Sequence, residues 1–112
     1  MISGVVGAQG SMLDIDLGSY PYVSSDCSAA VGVSVGGGVG SKALDHILSV
    51  CKAYTTRVGN GLFPIEFSEG RDGTLETFIR ETGKEYGVST GRPRRCGYLD
   101  LIALRYACIT NS

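Results

Sequence analysis

Apolar positions along the chain fall into two short runs and three spaced stripes. The runs at residues 2–8 and 53–58 are rich in β-branched and aromatic side chains and are bounded by turn residues, as β-strands are. The stripes lie at residues 41–51, 74–85 and 99–109, where apolar side chains recur at steps of three and four, the spacing of one helix face. The pattern therefore predicts two strands and three helices.

The first two helices carry further local signals. Ser41 is suited to cap the N-terminus of the first helix. The apolar stripe of that helix consists of Leu44, Ile47, Leu48 and Cys51. The residues of the second helix that we expect to face inward are Leu75, Phe78 and Ile79. Asp72-Gly73 indicates a turn just before the second helix.

Alternating strands and helices predict an α/β fold with a mostly parallel sheet and flanking helices. The run at residues 32–40 contains five glycines and no large side chain, but neither a linker nor an internal repeat divides the chain. We therefore expect residues 1–112 to form a single segment of one domain. A parallel sheet is normally covered on both faces. Three helices cover it poorly, and the chain starts in a strand and ends soon after a helix, so we expect a fragment.

Composition excludes several function classes. Hydrophobic residues make up 43% of the chain and charged residues 19%, which is typical of a globular protein rather than a disordered one. The formal net charge of -1 argues against nucleic-acid binding, which usually needs a basic excess. No apolar run reaches the roughly 18–20 residues of a membrane span, so we expect no membrane partner.

The cysteines indicate the compartment. Cys27, Cys51, Cys96 and Cys108 include no pair at C-x-x-C spacing, so neither a zinc knuckle nor a redox pair is indicated. We interpret them as reduced thiols of a cytoplasmic protein. A disulfide pair in a secreted domain is the alternative.

The strongest candidate for anion binding is the basic loop at residues 89–95. Its three arginines and two hydroxyls suit a carboxylate or a phosphate, because a guanidinium binds such groups with two parallel hydrogen bonds. A solvated basic loop is the alternative. The glycine-rich run at residues 36–42 lacks the phosphate-loop spacing, since Gly-Ser-Lys stands where Gly-Lys-Ser or Gly-Lys-Thr is required. Close backbone packing is favoured there over contact with an anion at the N-terminus of the following helix.

Four other side chains have weaker signals. Gln9 follows the first predicted strand, where ligands of open α/β sheets gather, and its amide both donates and accepts hydrogen bonds. His46 has no identifiable partner and is interpreted as a surface or half-buried histidine. Asp14 and Asp16 have no third metal ligand, so turn capping is favoured over cation binding. No catalytic triad is indicated.

An ordered set of stretches resembles the adenylosuccinate synthetase family. The set runs through nearly all of residues 4–112 and is far more specific than any one motif. The stretches are Gly7-Ala8-Gln9-Gly10, Leu13-Asp14-Ile15-Asp16, Tyr20-Pro21-Tyr22-Val23-Ser24-Ser25, Lys52-Ala53-Tyr54, Thr56-Arg57-Val58-Gly59, Phe63-Pro64, Glu85-Tyr86-Gly87, Thr90-Gly91-Arg92 and Arg94-Arg95-Cys96-Gly97-Tyr98-Leu99-Asp100.

The resemblance implies a function. Family members are cytoplasmic homodimeric ligases that join IMP to L-aspartate in AMP synthesis, driven by GTP with Mg²⁺. GTP phosphorylates the 6-oxygen of IMP, and aspartate then displaces the phosphate. The implied architecture is part of a larger fold like that of P-loop NTPases.

The resemblance also implies roles for individual residues. The implied IMP-binding residues are Gln9, Ser24, Val58 and Arg92. The implied loop that closes on aspartate consists of Val88, Ser89, Thr90, Gly91 and Arg92, together with Arg94. Arg94 is also implied to bind GTP.

Several parts of the family pattern have no counterpart in the sequence. The missing parts are the N-terminal phosphate loop, the catalytic aspartate and histidine, and the C-terminal guanine-recognition motif. No motif binds a metal. We therefore expect no catalytic residue in this segment and no synthetase activity from it alone. The alternatives are a non-catalytic module that binds a nucleotide or an anion, and an inert structural fragment.

Overall fold

The computed structural model of the chain describes residue 7 and residues 9–111. In chain order their elements are helix α1 (Val31–Gly37), strand β1 (Thr55–Arg57), helix α2 (Glu69–Thr82), strand β2 (Arg95–Gly97) and helix α3 (Leu101–Asn111). Single 3-10 turns lie at Ser11–Leu13 and Ser41–Ala43. The α/β class is confirmed. The strand predicted at residues 2–8 lies outside the described residues, apart from residue 7.

The chain divides into two compact units. Unit 1 takes in residues up to 50 and from 101 onward, and unit 2 takes in residues 51–100. No helix in the described ranges is both long enough and apolar enough to cross a membrane.

Unit 2 contains an antiparallel strand pair. The aligned residues of β1 and β2 are Thr55 with Gly97, Thr56 with Cys96 and Arg57 with Arg95. Cys96 of β2 is buried, as is Phe67 beside the pair, and the Phe67 ring meets the Tyr98 ring edge-on with centroids 4.8 Å apart. β1 lies within the predicted strand, whereas β2 starts at the last residue of the predicted basic loop and lies where no strand is predicted.

The pairing of β1 with β2 differs from the parallel arrangement that the sequence predicts. A helix between two strands usually returns the chain for parallel pairing. Here the chain makes a further reversal after α2, because Tyr86 and Pro93 form an antiparallel bridge. That reversal sends β2 along β1 in the opposite direction.

Helix α2 begins five positions before the predicted helix, and the predicted Asp72-Gly73 turn lies inside it. Asp72 accepts the Ser68 backbone N–H at its Oδ2, over 3.1 Å, so this carboxylate organises the first helical turn. The predicted inward face is wrong in part. Phe78 is 64% exposed and Leu75 41%, and only Ile79 is half-buried.

The helix predicted at residues 41–51 is wrong. Only Ser41–Ala43 forms a 3-10 turn, and the following residues have no regular structure. Leu48 is 91% exposed and Ile47 48%, and Leu44 is half-buried, so the apolar stripe is covered only in part. A short helix without tertiary packing is marginal in water.

Helix α1 forms in the glycine-rich stretch, where the pattern predicts no element. Glycine and valine are poor helix formers, so tertiary contacts must hold it. Gly32 permits the close approach, because a Cβ there would lie 2.2 Å from the Cys27 carbonyl oxygen. Gly38 ends the helix in the left-handed conformation at φ 62°.

Helix α3 closes unit 1 and confirms the predicted third helix with a shift of two residues. Asn111 accepts the Ala30 backbone N–H at Oδ1 and donates from Nδ2 to Ser11 Oγ, both over 2.7 Å. Tyr106 donates its hydroxyl to the Leu17 carbonyl over 2.8 Å. The end of the described chain is thereby tied to its first turns.

Candidate functional site

In unit 1, the side chains of Gln9 and Ser24 both lie beside the hydroxyl of Ser28. Ser28 Oγ donates to Gln9 Oε1 over 3.2 Å, and Ser24 Oγ lies 3.3 Å from Ser28 Oγ. Ser24 also donates to the Leu13 carbonyl over 2.7 Å, which fixes it to the first 3-10 turn. We call Gln9, Ser28 and Ser24 the hydroxyl relay.

The relay orients the Gln9 amide. Because Ser28 donates to the amide oxygen of Gln9, the Nε2 amide NH2 group remains free to donate. It has no acceptor among residues 9–111. Gln9 is exposed and has φ 76°, a conformation uncommon for a residue with a side chain. Such backbone strain is concentrated at binding sites. The arrangement suits a ligand that offers a hydrogen-bond acceptor.

Asp14 holds the framework beneath the relay. Its side chain is almost fully buried and accepts backbone N–H groups from Ala29 over 2.8 Å and from Leu17 and Asp16 over 3.0 Å. Hydrogen bonds from Ala29 and Leu17 hold the pKa of Asp14 below its ordinary value. This carboxylate caps turns, as the sequence predicts. The described residues contain no cluster of three side chains suited to a metal ion.

In unit 2, the loop at residues 88–92 forms the tip of a tight hairpin. Arg94 N–H donates to the Glu85 carbonyl over 2.9 Å, and Gly87 N–H donates to the Arg92 carbonyl over 2.8 Å. Gly91 reverses the chain in the left-handed region at φ 64° and donates to the Gly87 carbonyl over 2.8 Å. The hairpin base is therefore fixed while its tip faces solvent.

The loop residues are open to a ligand. Val88 is 99% exposed, and the other residues of the loop are also exposed: Ser89, Thr90, Gly91 and Arg92. Val58, which directly follows β1, is 72% exposed. Arg94 differs from them, because it is half-buried.

Arg94 belongs to a buried cluster around Glu85. Glu85 is only 3% exposed, and it accepts from Lys52 Nζ over 2.5 Å, from the Tyr54 hydroxyl over 2.6 Å and from Arg94 Nη1 over 3.0 Å. Burial raises the pKa of Glu85, but hydrogen bonds from Lys52 and Tyr54 outweigh it and keep the pKa below its ordinary value. We call these four residues the Glu85 cluster.

Arg95, the neighbour of Arg94, has a different partner. Its guanidinium faces the Glu66 carboxylate with two nitrogens, and Arg95 Nε lies 2.7 Å from Glu66 Oε1. The Arg95 hydrogen bond lowers the pKa of Glu66. The predicted three-arginine clamp is therefore divided, because Arg95 is engaged within the fold.

Two participants were not identified from the sequence. Ser28 lies in a string of small and hydroxyl residues in which no position stands out, and only the fold selects it as the link to Gln9. The sequence marks Glu85 only as part of a family stretch and as the last residue of a predicted polar helix. A buried carboxylate partner for a basic loop is the signal that could have been sought.

Other sequence-based interpretations have clear outcomes. His46 is exposed, in agreement with a surface role. Cys27, Cys51, Cys96 and Cys108 are all free thiols in the structure.

Comparison with known proteins identifies similar sequences. A family model described as adenylosuccinate synthetase matches residues 5–112. The adenylosuccinate synthetases of Salinibacter ruber and Desulforudis audaxviator are 55% identical over 105 residues and 54% identical over 106 residues. These matches cover 94% and 95% of this chain but only 23% and 24% of the relatives, so the chain spans about a quarter of their length.

A solved structure gives the same result. The fully ligated adenylosuccinate synthetase from Plasmodium falciparum superposes with a TM-score of 0.85 at 46% sequence identity. The match covers 95% of this chain and 24% of that chain.

Proposed function

The chain belongs to the adenylosuccinate synthetase family, and we propose that it supplies IMP- and aspartate-binding residues to a GTP-dependent ligase that forms adenylosuccinate. The observation that carries the proposal is the family match over residues 5–112. The chain is a segment of such a protein, so the activity belongs to the full-length synthetase that contains it.

The hydroxyl relay is the proposed IMP contact of unit 1. The Gln9 amine donates to an acceptor on the hypoxanthine ring, and the Ser24 hydroxyl contacts the phosphate. Ser28 adds a role that the resemblance does not include, since it fixes which end of the amide faces the base. Val58 and Arg92 are the proposed IMP contacts of unit 2.

The loop at residues 88–92 is the proposed aspartate contact. Aspartate brings two carboxylates, and Ser89, Thr90 and Arg92 bring hydroxyls and a forked cation on an exposed hairpin tip. Val88 and Gly91 belong to the same loop. Arg94 is proposed to contact both aspartate and GTP. A glycine-containing loop that orders on its substrate excludes water from the site.

The chemical steps take place in the full-length protein. GTP transfers its terminal phosphoryl group to the 6-oxygen of IMP, and the aspartate amine then attacks C6 and expels phosphate. This segment binds and orients the reactants. Its described residues do not fit Mg²⁺, because Asp14 uses both carboxylate oxygens for backbone N–H groups and no metal-binding cluster occurs among them. Any Mg²⁺ ligands are therefore proposed to lie outside the segment.

The remaining implications of the family are also proposals. The full-length protein is proposed to be homodimeric and to contain the larger P-loop-NTPase-like fold with a mostly parallel sheet. A cytoplasmic location and the absence of a nucleic-acid partner stay predictions.

The proposal is tested in the full-length protein with Arg92→Ala, and with Arg105→Ala as an exposed arginine of α3 outside the site. Loss of a charge-assisted contact should raise the KM for aspartate and for IMP about ten- to hundredfold in the first variant. The second variant should keep both KM values. Unchanged KM values in Arg92→Ala would remove the loop from the site and favour an inert structural role.

A further inference from the structure

The Glu85 cluster places one carboxylate between two cations. Glu85 Oε1 contacts Lys52 and Glu85 Oε2 contacts Arg94, and Tyr54 donates to the same oxygen as Lys52. The carboxylate is nearly inaccessible to water, with 3% of Glu85 exposed. Loss of any one of these partners would leave the buried carboxylate charge incompletely compensated and would destabilise the fold.

Arg94 is held at both its backbone and its side chain by the same residue. Its N–H donates to the Glu85 carbonyl over 2.9 Å, and its Nη1 donates to Glu85 Oε2 over 3.0 Å. Its Nε is buried and has no hydrogen-bond partner among the described residues. A half-buried arginine fixed at one nitrogen keeps the other donors of its fork in a set direction.

The charge balance of the cluster favours an added anion. Lys52 and Arg94 bring two positive charges and Glu85 neutralises one of them, so the cluster has one positive charge in excess. Lys52 is the more exposed of the two cations, with 45% of its side chain accessible against 29% for Arg94. An anion bound at either cation would neutralise this excess charge, and Arg94, with 29% of its side chain accessible, is open enough to be reached by one.

We propose that Glu85 is a positioning residue that holds Arg94 in the orientation needed to bind the aspartate carboxylate. The proposal rests on the proposed function, because it assumes that Arg94 contacts aspartate. Glu85 acts through Arg94 and does not touch the substrate. Lys52 and Tyr54, which precede β1, in turn hold the carboxylate, so these contacts fix the arginine at the base of the 88–92 hairpin.

The test uses the full-length protein and compares Glu85→Gln with Glu66→Gln. Glu66 is a matched control, because it pairs with Arg95, the residue next to Arg94, in the same unit. Glu85→Gln keeps the side-chain shape but removes the charge that Arg94 faces. We expect it to raise the KM for aspartate about tenfold or more and to change the KM for IMP about twofold at most. Glu66→Gln should leave both KM values within about twofold.

Arg94→Ala separates this proposal from the function on which it rests. If Arg94→Ala raises the KM for aspartate and Glu85→Gln only lowers the melting temperature, Glu85 is structural and the positioning role is wrong. If Arg94→Ala leaves the KM for aspartate unchanged, the assignment of Arg94 itself is wrong. A positioning role also requires that Glu85→Gln add little further loss in the Arg94→Ala background.

Glu85→Asp covers the case in which Glu85→Gln does not fold. The shorter side chain keeps the charge but withdraws the carboxylate from Arg94 Nη1. The same rise in the KM for aspartate is expected, and an unchanged KM would overturn the proposal.

Discussion

At the scale of single residues, the Ser28 hydroxyl determines which end of the Gln9 amide is free. The amide has a donor group and an acceptor oxygen. The hydrogen bond that Ser28 donates to Oε1 occupies the oxygen and leaves the NH2 group for a ligand. Gln9 and Ser24 were predicted as IMP-binding residues from the family resemblance. Their connection depends on Ser28, which only the fold brings to Gln9.

Ser28→Ala should weaken IMP binding by the full-length protein about three- to tenfold, the value of one neutral hydrogen bond. The loss follows because the Gln9 amide can then rotate and must be reoriented on binding. Isothermal titration with IMP measures the change. Ser34→Ala removes a hydroxyl from α1, outside the relay, and should bind IMP as the unsubstituted protein does. Equal affinities for the two variants would contradict the role of Ser28.

At the scale of elements, β2 depends on Gly97, a position with no room for a side chain. Gly97 is buried, and a Cβ there would lie 2.3 Å from the Ile65 carbonyl oxygen and 2.9 Å from the Phe63 ring. The backbone of residues 65 and 97 can approach closely only because that space is empty. The same contact positions Tyr98, whose N–H donates to the Ile65 carbonyl over 3.0 Å.

Gly97→Ala should lower the free energy of unfolding by about 1–3 kcal/mol, because the new methyl group must displace backbone. Gly73→Ala is the opposite case. Gly73 lies inside α2 with nothing within 4 Å of its would-be Cβ, so alanine should stabilise the protein by about 0.5–1 kcal/mol. Urea denaturation measures both changes. A stabilised Gly97→Ala variant would show that β2 is not packed as described.

Local pattern predicted the elements that have strong local signals and missed those that depend on distant contacts. β1, α2 and α3 follow from β-branched or apolar spacing, although α2 starts earlier, where the Asp72 carboxylate accepts the Ser68 backbone N–H. Helix α1 has an unfavourable sequence. The antiparallel direction of β2 depends on the hairpin at residues 85–94, which single-residue preferences do not encode.

At the scale of the whole molecule, hydrogen-bonded carboxylates make the stability of the fold sensitive to acid. Four carboxylates have pKa values below their ordinary range: Asp14 and Asp72 chiefly through backbone hydrogen bonds, Glu66 chiefly through Arg95, and Glu85 through Lys52 and Tyr54 against its burial. A carboxylate with a lowered pKa in the folded state stabilises the protein above the pKa of the unfolded chain. That contribution is lost as the pH falls towards the folded-state pKa.

The melting temperature should therefore fall steadily when the pH is lowered from about 6 to about 3.5, because the unfolded chain takes up protons before the folded chain does. Differential scanning calorimetry across this range measures the decline. Glu85→Gln should show a shallower decline than the unsubstituted protein, since one of the responsible groups is gone. A melting temperature that rises on acidification would contradict the lowered pKa values.

The discontinuity of unit 1 has a consequence for biosynthesis. Asn111 supplies the bonds that tie Ala30 and Ser11 to α3, so unit 1 lacks these bonds until that residue has left the ribosome. Residues 51–100 emerge earlier and have their own strand pair and hairpin. During translation the interior stretch can therefore fold before the segment that precedes it. This order differs from the usual N-terminal-first order of folding during synthesis.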